Sequence, residues 1–184
     1  YLALYFASCV PQGEVHTFEP GPNNQPYIRA NTAEVSNIRL VEKGLGAEPG
    51  RLHLFVEELT GQNNSFVEGY ELFEANKDNA GIDAGVTPIE VDVVTLDDYI
   101  QDLGRSPDFI KIDVEGGEYD ILYPAADLLP RVKRIHGEYH DVRADDPRTR
   151  IDNFASWLRD QGYSKLRVEE HPRMPNHGMF FASR

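Results

Sequence analysis

Cysteine is nearly missing from this chain. Cys9 stands alone, so no intrachain disulfide can form and a thiolate-built metal cluster is excluded. A single free thiol fits a reducing, cytoplasmic compartment. No apolar run approaches the ~20 residues that a membrane span requires. Nor does a positively charged start followed by an apolar core mark a secretory leader. Positive charge is also scarce: 18 Lys and Arg face 31 Asp and Glu, for a formal net charge of −13. Such a molecule repels nucleic-acid phosphates and anionic membrane surfaces, so neither is an expected partner. A neutral or cationic small molecule is accommodated more easily. Internal repeats and low-complexity segments are absent too. What remains is 184 residues, 40% hydrophobic and 27% charged, long enough for one domain over 1–184 with a substantial core.

Apolar, β-branched runs alternate with helix-compatible ones. "EVHTF" reads as a short strand, "PYIRANTAEV" as a helix, and "NIRLVEK" as a second strand ended by "GLG". "RLHLFVEE" and "IEVDVVTL" alternate as further strands. The polar stretch between them, from Thr60 to about Pro88, is too long for a plain connector and predicts a hairpin or an ordered loop over a site. In "TLDDYIQDLG", Thr95 is the expected N-cap, with Asp98 three residues on. "DFIKIDV" is the most strand-like buried segment, and helical "GEYDILY" follows it. "VKRIHGEYH" is a strand and "RTRIDNFASWLRDQG" an amphipathic helix stopped at Gly162. "KLRVEE" and "HGMFFASR" close the chain as paired strands. Strands alternating with helices predict an α/β architecture with a mainly parallel sheet and an antiparallel edge hairpin.

Carboxylates collect just past three of these strands. Asp113 and Glu115 follow "FIKI", Glu19 follows "VHTF", and Glu138, His140 and Asp141 end "RIHGEYHD". In open α/β sheets the ligand crevice lies beyond the carboxyl ends of the strands. Asp113 needs a partner or a shifted pKa at the end of a buried strand, which makes it a functional candidate. Gly116 and Gly117 permit a tight turn beside it. Glu118 and Asp120 also read as helix-start residues, and Asp141, Asp145 and Asp146 as solvated loop charges. Of the histidines, His140 is the expected functional one. His16, His53, His136, His171 and His177 read as surface or satisfied residues.

The stretches "GEVHTFEPGPNNQPYIRAN", "NIRLVEKGLGAEPGRLHL", "VTLDDYI" and "DFIKIDVEGGEYDIL" resemble, in that order, the FkbM-type S-adenosylmethionine-dependent methyltransferases. The likeness runs from about Tyr1 through His140. It implies a class I methyltransferase fold: a Rossmann-like, seven-stranded, mainly parallel sheet with helices on both faces. It also implies S-adenosyl-L-methionine as cofactor and O-methylation of a hydroxylated small molecule such as a sugar or polyketide. On that resemblance, Glu19, with Pro20 beside it, holds the cofactor ribose, and Gly44 and Leu45 pass the adenine. Asp113 lies beside the methionine end and the substrate. Glu115, Glu118, Glu138 and His140 face the acceptor pocket, with Asp113 and His140 as the catalytic pair. No metal ligands are assigned; converging carboxylates holding a divalent ion are the alternative to a base.

The family's first strand and glycine-rich loop have no counterpart here, because "YLALYFASCV" resembles the helix that follows that loop. An upstream strand and loop are therefore expected. Two other readings compete with catalysis of methyl transfer. One is a methyltransferase-like module that binds a nucleoside, glycan or protein without turnover. The other is a metal-dependent hydrolase built on Asp113, Glu138 and His140, against which stands the absence of a close His pair or a Gly-x-Ser-x-Gly elbow.

Overall fold

The computed structural model describes residues 2–57, 64–68, 85–141, 143, 145–174 and 176–184. Most of the polar stretch from Thr60 to Pro88, where a hairpin or site loop was expected, thus lies outside the described residues. Helix α1 (Leu2–Cys9) leads into strand β1 (Val15–Phe18), helix α2 (Gln25–Thr32) and strand β2 (Ile38–Val41). β1 and β2 pair in parallel, Val15 opposite Ile38 through Phe18 opposite Val41. One residue further, the Glu19 N–H donates to the Val41 carbonyl at 3.0 Å. That last rung fixes Glu19 just beyond the strand end.

Strands β3 (Gly44–Leu45), β4 (Gly50–Glu57) and β5 (Val86–Val94) form a second sheet in the order β3-β5-β4. β5 begins two residues before Pro88. Pro88 pairs opposite Phe55 of β4, while β3 reaches only Val93 and Val94. The missing proline N–H thus falls where β5 has no second neighbour among the described residues, the position in which a strand tolerates it. Helix α3 (Leu96–Leu103) is capped as expected, the Thr95 hydroxyl accepting the Asp98 N–H at 3.0 Å. Gly104 ends it at φ +72°.

The third sheet holds β6 (Phe109–Ile112), β7 (Arg134–His140), β8 (Lys165–Glu170) and β9 (His177–Ser183) in the order β6-β7-β9-β8. Helix α4 (Glu118–Leu122) follows β6, and α5 (Ile151–Asp160) lies between β7 and β8. Ile112, Gly137, Phe180 and Val168 lie in register across this sheet on one face. A methyl group on Gly137 would stand 2.3 Å from the Phe180 ring and 2.6 Å from Ile112, so glycine makes the room that Phe180 fills. Leu96 and Ile100 of α3, Tyr119 and Leu122 of α4, and Phe154 and Leu158 of α5 complete that core.

One feature differs from the sequence-based expectation. The strands form separate sheets of two, three and four, not one of seven. A sheet continues only where neighbouring backbones lie ~4.8 Å apart. Among the described residues β1 pairs only with β2, and β6 only with β7. As an edge strand, β6 leaves Phe109 and Ile110 half-buried, and only Ile112 is fully enclosed. The closing hairpin lies at the rim, as expected: among the described residues β8 is the outer strand of the order β6-β7-β9-β8. β9 inserts antiparallel between β7 and β8, which a short return permits. The helices of the main core gather on one sheet face. The other carries Lys111, His136, Phe181 and Arg167 in register, and there Phe6 of α1 meets Phe109, ring centroids 5.2 Å apart.

Candidate active site

β1, β3 and β6 deliver their carboxyl ends to one cavity of about 370 Å³, within the ~300–1,000 Å³ typical of small-molecule sites. Glu19, Pro20, Gly44, Leu45, Asp113 and Glu115 all line it. These side chains come from three separate sheets. Phe18, Asn24, Leu54, Asn64 and Phe66 share the wall. Of these, Asn64 and Phe66 lie in the polar stretch, where no local pattern distinguishes them. Phe66 covers Gly44 so closely that a methyl group there would meet its ring at 2.6 Å.

Glu19 is held from two sides. One carboxylate oxygen accepts the Gly21 N–H at 2.8 Å and the other the Asn24 side-chain amide at 3.3 Å. The Gln25 amide binds the Glu19 carbonyl at 3.0 Å. Burial pushes the Glu19 carboxyl above its ordinary range, and the hydrogen bonds from Gly21 and Asn24 oppose that shift. Each carboxylate oxygen keeps acceptor capacity for a further donor such as a ribose hydroxyl.

The "DVEGGE" turn divides its acids between two environments. Glu115 sits at φ +52° and Gly116 at φ +96°, left-handed conformations that favour glycine and strain glutamate. The Ser65 hydroxyl, donating to the Glu115 carbonyl at 2.6 Å, braces that turn. Asp113 is exposed on the cavity rim and pairs with Lys111 at 3.2 Å. Glu118 turns inward and is fully buried. One of its oxygens accepts the Val114 N–H at 3.2 Å, the Gly116 N–H at 3.3 Å and His140 Nδ1 at 2.8 Å. Its other oxygen is buried and has no hydrogen-bond partner among the described residues.

His140, at the end of β7, is also buried, with Nε2 3.4 Å from the Glu115 carboxylate and its ring edge-on to His177. Burial alone would favour the neutral imidazole. The Glu118 hydrogen bond and the charges of Glu118, Glu115 and Glu138 outweigh it and raise His140 above its ordinary 6.5. In metal-free protein its ring-proton NMR resonance is therefore expected to titrate above pH 6.5; a midpoint below that value would contradict the assignment. Since the folded value exceeds the unfolded one, the stability His140 contributes is complete below pH 6.5 and fades as pH rises through the native value. Glu138, half-buried beside this group, is raised by burial and by the Asp113 charge, against the pull of His140 and Lys111.

The predicted cofactor residues thus meet in one cavity, whereas Glu118, Glu138 and His140 are not among its lining residues. His140 was expected to reach the acceptor directly, but it stands behind Glu115. Glu118 was read as a helix-start charge or acceptor contact; it is the buried support of His140. Two further acids prove to be tied. Asp120 pairs with Arg143, and Asp146 caps the short turn at Pro147–Thr149, with Arg148 holding its carboxyl down to about 2. The sequence assigned no metal ligands; here donor atoms of Asp113, Glu115 and His140 lie within 4.8 Å of one another.

Residues 1–165 match the family described as Methyltransferase FkbM domain. The chain belongs to this family. Its fold agrees with the crystal structure of methyltransferase FkbM from Methylobacillus flagellatus KT, with a TM-score of 0.55 at 16% identity, over 97% of this chain and 40% of that one. The 2-O-methyltransferase NoeI of Sinorhizobium fredii is 26% identical over 152 residues, 76% of this chain and 58% of that protein. Methyltransferase 1 of Beauveria bassiana is 27% identical over 135 residues, 65% of this chain and 51% of that protein. The chain thus spans somewhat more than half the length of these two relatives. Among the described residues, no helix of this FkbM-family chain is long and apolar enough to cross a membrane.

Proposed function

We propose that this FkbM-family domain transfers a methyl group from S-adenosyl-L-methionine to a hydroxyl oxygen of a sugar, polyketide or similar small metabolite. The observation that carries the reading is the convergence of Glu19 and Asp113, 94 positions apart, on one cavity. The acidic wall suits the cofactor. Its carboxylates attract a sulfonium cation and favour it over the neutral product, while Glu19 has acceptor capacity for the ribose diol. Gly44 and Leu45 line the same cavity, with the Phe66 ring over Gly44 as an apolar surface for an adenine ring.

When bound, the cofactor supplies an electrophilic methyl carbon. Transfer to an oxygen would also release the acceptor's hydroxyl proton, which the Asp113 or Glu115 carboxylate lining the cavity would take up. The chain's own part is alignment and activation. Asp113 and Glu115 are the side chains that meet the acceptor, while His140 and Glu118 stand behind them as positioning residues. Holding reactants in line and excluding water supplies much of the rate in such a displacement. A domain on 1–184, working in a reducing cytoplasmic setting, belongs to the same proposal and rests on the free Cys9.

The reading is tested by calorimetry with the cofactor and its demethylated product, and by labelled-methyl transfer to a panel of hydroxylated metabolites. Absence of heat or thermal shift at millimolar cofactor would refute it. Replacing Glu19 by Ala is expected to weaken cofactor binding by ~1–3 kcal/mol, about 5- to 150-fold. Unchanged affinity would remove Glu19 from the site. Cofactor binding without transfer to any acceptor would instead favour a non-catalytic binding module.

A further inference from the structure

A second, smaller cavity of about 200 Å³ opens beside the first. Two stretches of chain serve both. β3 gives Gly44 and Leu45 to the larger cavity, and its continuation gives Ala47 to the smaller. The turn after β6 gives Asp113, Val114 and Glu115 to the larger, and α4 gives Tyr119 and Asp120 to the smaller. Leu45 and Ala47 are two residues apart, so their backbones lie within ~7 Å of each other. The smaller cavity is thus a close neighbour of the one proposed for methyl transfer, and that proposal gives it no role.

We infer that the smaller cavity is a second acceptor subsite, which holds one neutral sugar ring adjoining the part of the acceptor that is methylated. Its use during transfer rests on the methyltransferase reading; the binding of the ring does not. Size, charge and wall together select the ligand. The volume suits one six-membered ring with its substituents and falls below the ~300 Å³ at which drug-sized sites begin. The charges cancel: Asp120 pairs with Arg143 at 3.0 Å and Asp146 with Arg148 at 2.7 Å. Two carboxylates beside two guanidiniums favour neither a phosphate nor an ammonium group, even in a chain of net charge −13. The wall is largely apolar, with the Tyr119 and Tyr123 rings stacked at 25° and 6.4 Å between centroids, and Pro124 beside them. A sugar ring carries C–H groups on its faces and hydroxyls round its edge. The aromatic wall matches the faces, and the paired acids and arginines keep acceptors and donors for the edge.

The independent observation is the Tyr119 hydroxyl. Tyr119 is 2% exposed, and its hydroxyl has no hydrogen-bond partner among the described residues. A buried phenol usually finds one. The neighbouring Tyr123 does, its hydroxyl donating to the Arg148 carbonyl at 2.7 Å. Burial pushes the Tyr119 hydroxyl far above its ordinary range, so it keeps its proton and is able both to donate and to accept. Core packing does not call for this group. The Tyr119 ring meets Phe154 edge-on at 5.1 Å, a contact that phenylalanine would make as well. A spare hydroxyl on a ring that lines a cavity is the group to which a ligand hydroxyl binds.

The chain's single tryptophan, Trp157, reports on the site, because its ring lies 4.4 Å from that of Tyr123. The test is a fluorescence titration without cofactor, using the methyl glycosides of glucose, galactose, mannose and rhamnose. Sodium phosphate and tetramethylammonium chloride serve as charged controls. At least one glycoside is expected to give a saturable change in emission, and neither ion is. Tyr119→Phe is expected to weaken that glycoside at least about fivefold, the effect of one lost hydrogen bond. The same variant is expected to melt at or above the wild-type temperature, since the hydroxyl it loses has no partner among the described residues. Ala47→Phe, at an exposed position, is expected to fill the cavity and abolish saturation. No saturating glycoside, equal affinity in wild type and Tyr119→Phe, or a saturating ion would overturn the subsite. In the labelled-methyl assay, Tyr119→Phe is expected to raise the acceptor's KM about fivefold with kcat kept; a loss confined to kcat would also overturn it. Cofactor calorimetry separates the two ideas. Cofactor heat with no Tyr119-dependent glycoside binding refutes the subsite and leaves methyl transfer standing; glycoside binding without cofactor heat supports the subsite and refutes methyl transfer.

Discussion

Glu118→Ala is expected to cost ~3–5 kcal/mol of stability, the effect of removing one partner from a buried charged pair. The substitution strips three donors at once: the Val114 and Gly116 N–H groups and His140 Nδ1. All three sit in or beside the buried turn, where water cannot readily replace the carboxylate. The unpartnered second oxygen of Glu118 is itself a cost to the native state, which places the expectation below the sum of three lost bonds. Glu118→Gln keeps an acceptor for the two backbone groups and is expected to lose clearly less. Urea unfolding of the three proteins decides the matter. An alanine variant within about 1 kcal/mol of wild type would mean that the Glu118–His140 pair does not hold the site together.

Asp113→Ala is expected to do the reverse, sparing stability and removing activity. Asp113 is exposed and its ion pair with Lys111 lies on the rim, so its loss is expected to change stability by only ~0–1 kcal/mol. On the proposed reaction, methyl transfer is expected to fall by about a hundredfold or more, since that proposal gives this carboxylate the alignment and activation of the acceptor hydroxyl. Steady-state kinetics paired with thermal melts measures the split. A variant with unimpaired kcat, or one that loses activity only because it unfolds, would remove Asp113 from the reaction. The two substitutions are thus a matched pair. Five residues apart in sequence, they separate a carboxylate that meets the ligand from one that supports the group behind it.

Much of the secondary structure was legible because it is written in local pattern. Alternation in "RLHLFVEE", the Thr95 cap and the helical spacing of Ile151, Phe154, Ala155 and Leu158 each correspond to a described element. The rule that ligands lie past strand ends brought Glu19 and Asp113 forward, and both line the cavity. Sheet continuity was not legible. Pairing depends on which edges meet in space, and β9 reaches its place between β7 and β8 through contacts that its own composition does not encode. Asn64 and Phe66 were missed for a similar reason, since they act on Gly21 and Gly44 from a stretch without periodicity.

By itself, the sequence determined that this is an FkbM-family α/β chain whose acids follow its strands, because family motifs and hydrophobic period are properties of neighbouring residues. Tertiary structure alone decided what each acid does. Glu115 and Glu118 are three positions apart and chemically identical, yet one lines the cavity and the other is sealed against His140. The difference arises from a left-handed turn braced by Ser65, fifty positions away. A carboxylate's role depends on its solvent and its partners, and distant parts of the chain supply both.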